Sequence, residues 1–290
     1  MRIAVLGAGK MGQWFAKFFL EEGYSVVVAD RNKRKLEMLG NELPVETSDF
    51  AQAVHNADRV LICVSISAIE AVVKTIAPHI GEGQIVMDIC SVKGKPVKIM
   101  HDYIKRGLVL GTHPVFGPGS KGVKNKAFIL TPTNGREKEF AVTFKVWLET
   151  RKARVFIISP EEHDRLMSVV LGLPHFVGLV ACETLLEQRN YLETKKVAGT
   201  TYRMLLTLAE VTAMENPELF SSLQFSLPEM EKIENAFIEK AQEWLNLIKK
   251  KDYAAIAAKM ASLKSKLTSA SSDYEKSYEI MYKMLEAAEK

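Results

Sequence analysis

The sequence contains few cysteines, three in 290 residues. Cys63, Cys90 and Cys182 lie far apart in apolar stretches, without the closely spaced pairs that zinc sites and disulfide-stabilised small domains use. We therefore expect no metal site and no disulfide framework. The pattern also favours a reducing compartment, the cytoplasm.

Neither sign of charge dominates, because 39 Lys and Arg residues stand against 35 Asp and Glu residues, a net charge of +4. The basic residues fall in stretches that also carry many glutamates, so they form no basic stripe of the kind that binds nucleic acids. We also find no apolar run of the roughly 18 residues that a membrane span needs. The opening residues, MRIAVLGAGKMG, lead into folded sequence without the pattern of a signal peptide. These absences predict neither a nucleic-acid partner nor a membrane partner.

What the sequence has instead is a series of short apolar runs that alternate with amphipathic stretches up to residue 159. Most of these runs lack polar alternation, which is typical of strands buried on both faces of a largely parallel sheet. The pattern predicts a Rossmann-type, doubly wound α/β domain over residues 1–159. The candidate strands are Ile3–Gly7, Ser25–Asp30, Arg59–Val64, Gln84–Ile89, Leu108–His113, Ala127–Pro132 and Arg154–Ser159.

The character of the sequence changes at Ser159. This residue suits a helix N-cap and Pro160 suits the first helical turn. No convincing strand follows, and helices are expected over residues 161–189, 195–214 and 228 onwards. We therefore predict an all-α domain over residues 160–290. Its many apolar residues need a surface to pack against, so we expect a homodimer formed through this domain.

A glycine pattern, GxGxxG, follows the first candidate strand and opens a helix that begins with Lys10 and Met11. Gly7 permits the tight turn, Gly9 lets the backbone approach a pyrophosphate, and Gly12 lets helix and strand pack closely. The amide groups at the helix N-terminus favour phosphates. This segment predicts a dinucleotide site.

The second candidate strand ends at Asp30, where a carboxylate can bind the adenine ribose of NAD and would repel the 2′-phosphate of NADP. NAD is therefore favoured. Arg31 and Arg34 follow and could pair with such a phosphate, so NADP remains open. Val64 and Ser65, at the end of the next strand, are expected to line the same cofactor site.

Two further segments follow strands at the edge of the sheet where ligands bind. DICSVKG carries Ser91 and Lys93, and GTHPVFGP carries His113. A hydride transfer from an alcohol needs a group that takes the hydroxyl proton, and histidine suits that task near neutral pH. His113 is therefore the candidate base, and activity is expected to fall as the pH drops through roughly 6 to 7.

Four segments together resemble the prephenate dehydrogenase family and its arogenate-using relatives. They are DICSVKG, GTHPVFGPGSKG, HDRLMSVVLGLPHFVGL and TTYRMLLTLAEVTAMENPELFSSLQ. The resemblance extends from residue 1 to about residue 262. It implies a Rossmann-type domain followed by a helical dimerisation domain, and NAD(P)-dependent oxidative decarboxylation of prephenate to 4-hydroxyphenylpyruvate, a step in tyrosine biosynthesis.

The resemblance also implies roles for individual residues. His113 would accept a hydrogen bond from the substrate's ring hydroxyl and act as base, and Ser91 would bind that hydroxyl and orient the imidazole. His175 would lie at the mouth of the site, Arg203 would bind a substrate carboxylate, and Lys93 is a candidate contact to cofactor or substrate.

Each of the last three residues also has a structural interpretation. Lys93 would then be a surface lysine, His175 a core histidine and Arg203 a solvated arginine. The remaining histidines have no neighbouring residues in the sequence that suggest a catalytic role. They are His55, His79, His101 and His163.

Several alternative functions remain open. The sequence does not separate prephenate from arogenate, which differ in a keto and an amino group. Another two-domain oxidoreductase, a 3-hydroxyacid dehydrogenase or an imine reductase, would have a similar build. The third alternative is a non-catalytic protein that senses dinucleotides and binds a partner through its helices.

Overall fold

The structure is a computed structural model, and residues 1–287 of it are described. Residues 288–290, included in the expected helical domain, lie outside the described part. The chain divides into two compact units. The first comprises Met1–Met167 and Ser221–Pro228, and the second comprises Ser168–Phe220 and the residues from Glu229 onwards.

The first unit is built on one eight-stranded sheet with the strand order β3-β2-β1-β4-β5-β6-β7-β8. All neighbouring strands are parallel except β6 and β7. The order from β3 to β6 is that of a Rossmann domain, which confirms the predicted fold class. The strands are β1 Arg2–Leu6, β2 Ser25–Ala29, β3 Glu46–Ser48, β4 Arg59–Ile62, β5 Ile85–Asp88, β6 Leu108–Pro114, β7 Ala127–Thr131 and β8 Arg154–Ile157.

The strand β3 is absent from the sequence prediction. It has three residues, all polar, and lies at the edge of the sheet beside β2. An edge strand needs no apolar side chains on two faces, so it lacks the pattern that identified the other seven strands.

Helices connect the strands of the first unit. Asn32, Asp49 and Asn134 begin three of them, and each side chain accepts a hydrogen bond from a backbone N–H in the first turn. The helices are α1 Lys10–Glu21, α2 Lys33–Glu42, α3 Phe50–His55, α4 Ile69–Ile76, α5 Gly94–Tyr103, α6 Gly135–Glu149 and α7 Pro160–Met167, with a 3₁₀ turn at Ala77–His79.

The chain turns helical at residue 160, as expected, and the Ser159 hydroxyl accepts a hydrogen bond from the backbone N–H of Glu162. The segment Ser168–Gly172 is π-helical and leads directly into α8, so Gly172 and Pro174 do not break the helix. The later helices are α8 Leu173–Leu186, α9 Tyr191–Lys196, α10 Thr200–Ala213, α11 Pro217–Ser226, α12 Met230–Lys249, α13 Tyr253–Ala270 and α14 Ser277–Ala287, with a 3₁₀ turn at Ser272–Lys276.

The expectation that no apolar run reaches membrane-spanning length is wrong. The continuous helix Pro160–Leu186 has 27 residues and a mean hydropathy of 1.8 over its most apolar 18-residue window, only 11% of which is buried. The helix reaches this hydropathy because no Asp, Glu, Lys or Arg occurs between Arg165 and Glu183, although Ser, Gly, Pro and His interrupt the aliphatic residues. Length and composition alone are weak evidence for a membrane span, since core helices of soluble proteins pass the same test.

Candidate active site

The glycine turn between β1 and α1 is built as the sequence pattern predicts. Gly7 has a φ of +117°, a left-handed value that side chains strongly disfavour. A Cβ atom on Gly7 would also overlap the carbonyl oxygen of Cys63, and one on Gly12 would overlap the carbonyl oxygen of Gly7. These two glycines therefore serve the packing of β1, β4 and α1.

Gly9 differs, because nothing lies within 4 Å of the place that its Cβ would take. It is the N-cap of α1, and its lack of a side chain leaves the first-turn amide groups without a side-chain cap. Lys10 and Met11 form that first turn. An open helix N-terminus behind a glycine that the protein does not require for packing fits the pyrophosphate of a dinucleotide.

Asp30 lies directly after β2 and accepts two backbone hydrogen bonds, at 2.7 Å from the N–H of Ala8 and at 2.8 Å from that of Asn32. The carboxylate thereby ties the glycine turn to the end of β2, in addition to its expected contact with ribose. A surface pocket opens beside it. The pocket is lined by Asp30, Arg31, Lys33, Leu36, Glu37, Thr47, Ser48, Asp49 and Phe50.

The remaining predicted cofactor residues also lie at this edge. Val64 and Ser65 follow β4, the strand next to β1, and Val64 Cγ1 is 3.2 Å from the place of a Gly7 Cβ. Ser65 Oγ is hydrogen-bonded to Ser67 Oγ at 3.0 Å. Arg34 in α2 does not line the pocket beside Asp30, whereas Lys33, which the sequence analysis passed over, does.

Lys93 is fully buried, so its interpretation as a surface lysine is wrong. Its ammonium group forms a close ion pair with Asp88 and donates to the carbonyl oxygen of Thr112 at 2.7 Å. Asp88 also accepts from the backbone N–H of Cys90 at 2.8 Å. Lys93 thus joins the end of β5 to β6 from within the core, and we replace its predicted contact to substrate or cofactor with this structural role.

His113 lies near the end of β6, is 4% exposed and pairs across the antiparallel ladder with Ile129 of β7. Its Nδ1 atom is 2.8 Å from Nε2 of His163, the residue that the sequence analysis set aside. Within residues 1–287, His113 Nε2 has no hydrogen-bond partner. The ring is therefore held through one nitrogen and has the other available for chemistry.

Asp164 completes this arrangement from α7. Its Oδ1 atom is 2.7 Å from His163 Nδ1 and accepts from the backbone N–H of Lys93 at 2.7 Å, while Oδ2 accepts from that of Gly94 at 2.8 Å. One carboxylate thus binds both the histidine pair and the N-terminus of α5. Sequence reasoning missed His163 and Asp164, although an HD pair in the helix that follows β8 was a usable signal.

Burial lowers the pKa of His113 well below the ordinary value of 6.5, and the neighbouring His163 and Lys93 lower it further. Burial also lowers the pKa of His163, against the opposing effect of the hydrogen bond that its ring donates to Asp164. Both rings are therefore neutral at pH 7. The acid limb of a reaction that needs neutral His113 accordingly lies below pH 6.5, not between 6 and 7 as the unperturbed value suggested.

Ser91 follows β5 and is half-buried. In the part of the chain described, no hydrogen bond joins its hydroxyl to His113. His163 holds the imidazole in this structure, and its orientation by Ser91 stays a prediction. A role for Ser91 toward a bound hydroxyl stays a prediction.

Two predicted substrate residues belong to the second unit. His175 in α8 is packed beside the ring of Phe220, with 5.7 Å between centroids, and its buried Nδ1 has no hydrogen-bond partner among the described residues. Burial lowers its pKa, so the ring is neutral at pH 7. Arg203 lies in the first turn of α10 and is half-buried, so it is not a fully solvated arginine. Their roles toward a substrate remain predictions.

Comparison with known proteins identifies both parts of the chain. The sequence-family model for the prephenate dehydrogenase nucleotide-binding domain matches residues 15–157. The family model for the prephenate dehydrogenase dimerization domain matches residues 159–262. The chain belongs to the prephenate dehydrogenase family. The family inferred from the four sequence segments is confirmed. The match to this family argues against the 3-hydroxyacid dehydrogenase and imine reductase alternatives.

Individual family members show how far the similarity extends. A probable arogenate/prephenate dehydrogenase of Methanocaldococcus jannaschii is 34% identical over 251 residues, 85% of this chain and 56% of the relative. The T-protein of Enterobacter agglomerans is 26% identical over 88% of this chain and 64% of its own length. The chain thus spans less than two thirds of these curated relatives. A crystal structure of prephenate dehydrogenase from A. aeolicus, in complex with hydroxyphenyl propionate and NAD+, shares the fold at 22% identity with a TM-score of 0.77, covering 93% of this chain and 98% of that one.

The buried ion pair makes a prediction for Lys93. Lys93→Met removes the ammonium group and leaves the carboxylate of Asp88 in the core without its cation, so the free energy of unfolding should fall by about 3 to 5 kcal/mol. Urea denaturation of the variant and the parent measures this difference in the free energy of unfolding. Lys95→Met, which changes an exposed lysine in the first turn of α5, is the control and should stay within about 0.5 kcal/mol of the parent. Unchanged stability with a raised Michaelis constant would restore Lys93 as a ligand contact.

Proposed function

We propose that this protein is an NAD-dependent dehydrogenase that converts prephenate to 4-hydroxyphenylpyruvate by oxidative decarboxylation. The observation that carries the proposal is His113, a buried neutral histidine with one free ring nitrogen at the carboxyl end of β6. That end faces the same sheet edge as the glycine turn, where Rossmann domains bind their ligands. The family assignment supports the same reaction class.

The cofactor preference rests on the end of β2. Asp30 presents a carboxylate beside an open helix N-terminus, which suits the ribose and pyrophosphate of NAD. The A. aeolicus relative of the same fold carries NAD+ in its crystal structure. NAD, when bound, supplies the hydride acceptor. The protein's own task is to orient the substrate's C–H bond and to handle one proton.

His113 handles that proton in our proposal. Nε2 accepts it from the ring hydroxyl of prephenate as the C–H bond gives up hydride and the ring carboxylate leaves as carbon dioxide. The proton returns to the oxygen when the ring becomes aromatic, so the phenol of the product carries it. Ser91 donates a hydrogen bond to the same oxygen.

The substrate is a dianion, and the sole cation identified inside the first unit, Lys93, is bound to Asp88. We therefore propose that Arg203 binds a substrate carboxylate through the planar two-bond contact of a guanidinium. His175, with an unpartnered buried Nδ1 in the described structure, is proposed to contact the substrate as well.

Arogenate is the second candidate substrate, because the M. jannaschii relative is named for both compounds. We further propose a homodimer formed through the matched dimerisation domain. Pairing would cover the exposed apolar side chains of α8 and its neighbours, among them Val180 and Leu186. This interpretation of the apolar helix also agrees with a soluble cytoplasmic enzyme.

The deciding experiment incubates the purified chain with NAD and either prephenate or arogenate and follows the absorbance of reduced nicotinamide. Activity with prephenate and none with arogenate supports the proposal as stated, and the reverse result identifies an arogenate dehydrogenase. Dinucleotide binding without turnover of either compound would overturn the proposal in favour of a dinucleotide-sensing protein.

For His113, we expect His113→Asn to lower kcat by about 100-fold or more, since an amide cannot take up the proton, with little change in NAD affinity. Because the neutral ring is required and its pKa is lowered, wild-type kcat should stay level down to pH 6.5 and fall at more acid pH. His55→Asn, a change at an exposed histidine, is the control. Near-normal turnover of His113→Asn would remove His113 from the mechanism.

For Asp30, the informative quantity is the ratio of kcat/KM with NAD to that with NADP. Asp30→Ala loosens the glycine turn and so weakens both cofactors, but loss of the carboxylate also ends the repulsion of a 2′-phosphate. The ratio should therefore fall by about 10-fold or more, an effect on the order of 1.4 kcal/mol. Glu37→Ala changes another carboxylate of the same pocket and should leave the ratio unchanged. A wild type that already prefers NADP would contradict the assignment.

For Arg203, a contact made equally in the ground state and the transition state should affect the Michaelis constant for prephenate and leave kcat largely intact. We expect Arg203→Ala to raise that constant roughly 30-fold to 1000-fold, as loss of a charge-assisted bond of about 2 to 4 kcal/mol implies. Arg203→Lys should recover part of the loss. Arg189→Ala alters an exposed arginine of the same unit and serves as control. An unchanged Michaelis constant in Arg203→Ala would show that other groups hold the carboxylates.

A further inference from the structure

We propose that His163 and Asp164 are positioning residues that fix the tautomer of His113, with the proton on Nδ1 and a bare lone pair on Nε2. The inference deepens the proposed function and rests on it for its catalytic consequence. The tautomer itself is a property of the folded protein and can be measured without substrate.

The direction of the hydrogen bonds starts at Asp164. Two of the groups that bind its carboxylate are the backbone N–H groups of Lys93 and Gly94, which can only donate. The carboxylate therefore acts as an acceptor. His163 Nδ1, 2.7 Å from Oδ1, must then carry its proton and donate it.

A neutral imidazole has one N–H and one bare nitrogen. With the proton of His163 on Nδ1, its Nε2 is the bare nitrogen and can only accept. His113 Nδ1 lies 2.8 Å from that atom and is thereby required to be the donor. Nε2 of His113 is left with its lone pair, which is the form that a general base needs.

The opposite direction is unfavourable. A proton on His163 Nε2 would leave its Nδ1 lone pair facing a carboxylate oxygen, two acceptors at hydrogen-bond distance in a buried place where water cannot relieve them. Burial also disfavours a doubly protonated His163, whose pKa is lowered. Only one arrangement of protons satisfies all of these contacts.

The charges around the pair support the same arrangement. The groups identified as facing the two rings are Asp164, from α7, and the ion pair of Lys93 with Asp88 at the end of β5. Burial, and to a smaller extent Lys93, disfavours a positive charge on either ring, so both rest neutral. When His113 Nε2 takes up a proton, its Nδ1–H stays bonded to His163, whose own N–H stays directed at the Asp164 carboxylate. No proton has to move along the chain during the reaction.

The test is a nitrogen NMR spectrum of the full chain with histidine labelled at its ring nitrogens, recorded near pH 7.5 without ligands. Protonated and bare imidazole nitrogens have well-separated shifts. The His113 signals are those that disappear in His113→Asn. We expect a protonated Nδ1 and a bare Nε2. A protonated Nε2 in the wild type would overturn the proposal, whatever reaction the enzyme catalyses.

Two variants separate tautomer control from simple packing. His163→Phe keeps a ring but has no acceptor, so His113 should shift toward the Nε2–H form that free imidazole favours in water. His163→Gln can place an amide oxygen near the former Nε2 position, so it should retain Nδ1–H. The exposed His55→Phe is the control and should leave the His113 signals unchanged.

If the chain turns over prephenate or arogenate, kcat should follow the tautomer. We expect His163→Phe to lower kcat by about 100-fold with an unchanged Michaelis constant for NAD, and His163→Gln to stay within about 10-fold of the wild type. Equal losses in the two variants, with His113 keeping Nδ1–H in both, would show a merely structural role and overturn the proposal. A protein with the expected tautomer and no activity would instead count against the proposed function alone.

Discussion

The carboxylate of Asp164 is the contact on which the candidate site of the first unit depends. It accepts from the amides of Lys93 and Gly94, which begin α5, and from the imidazole of His163, which holds His113. Two segments that lie far apart in the sequence, SVKG and GTHP, are therefore positioned by one side chain from a third segment. A buried carboxylate with several donors is rigid, and rigidity is what a proton acceptor needs if its lone pair is to point at one place.

A second polar contact supports the first from inside the core. The ion pair of Lys93 with Asp88 links β5 to β6 behind His113, and the carbonyl oxygen of Thr112 accepts a further hydrogen bond from the ammonium group. Buried ion pairs are weak evidence for stability, but removal of one partner is costly because it leaves a buried charge. The pair therefore fixes how β5 and β6 present the residues that follow them. Asp164 accepts the hydrogen bond that orients the ring of His163, while burial, with a smaller contribution from Lys93, lowers the pKa of both rings.

Much of the first unit could be predicted from sequence because its signals are local. Neighbouring residues in the sequence determine seven of the strands, the glycine turn and the start of α7. The strand β3 was not predicted, because a polar edge strand lacks the apolar run that identified the others. The family was recognisable because whole motifs carry it. The roles of Lys93 and His163 could not be recognised from the sequence. Burial decides the role of Lys93, and contact with His113, 50 residues away in sequence, decides that of His163. A lysine next to the start of a helix is expected to be exposed, and only the folded structure shows that Asp88 lies against Lys93.

The three glycines of the turn after β1 are under different structural constraints. A side chain at Gly7 or Gly12 meets backbone atoms of the protein itself, so selection for a folded chain is enough to retain both. Gly9 meets nothing within 4 Å, and its φ of −74° is open to other residues. The packing of the fold therefore does not require glycine at this position, and any requirement would have to come from a ligand at the open N-terminus of α1. In a lineage that ceased to use a dinucleotide, substitutions would accumulate there first, while the fold around it persisted.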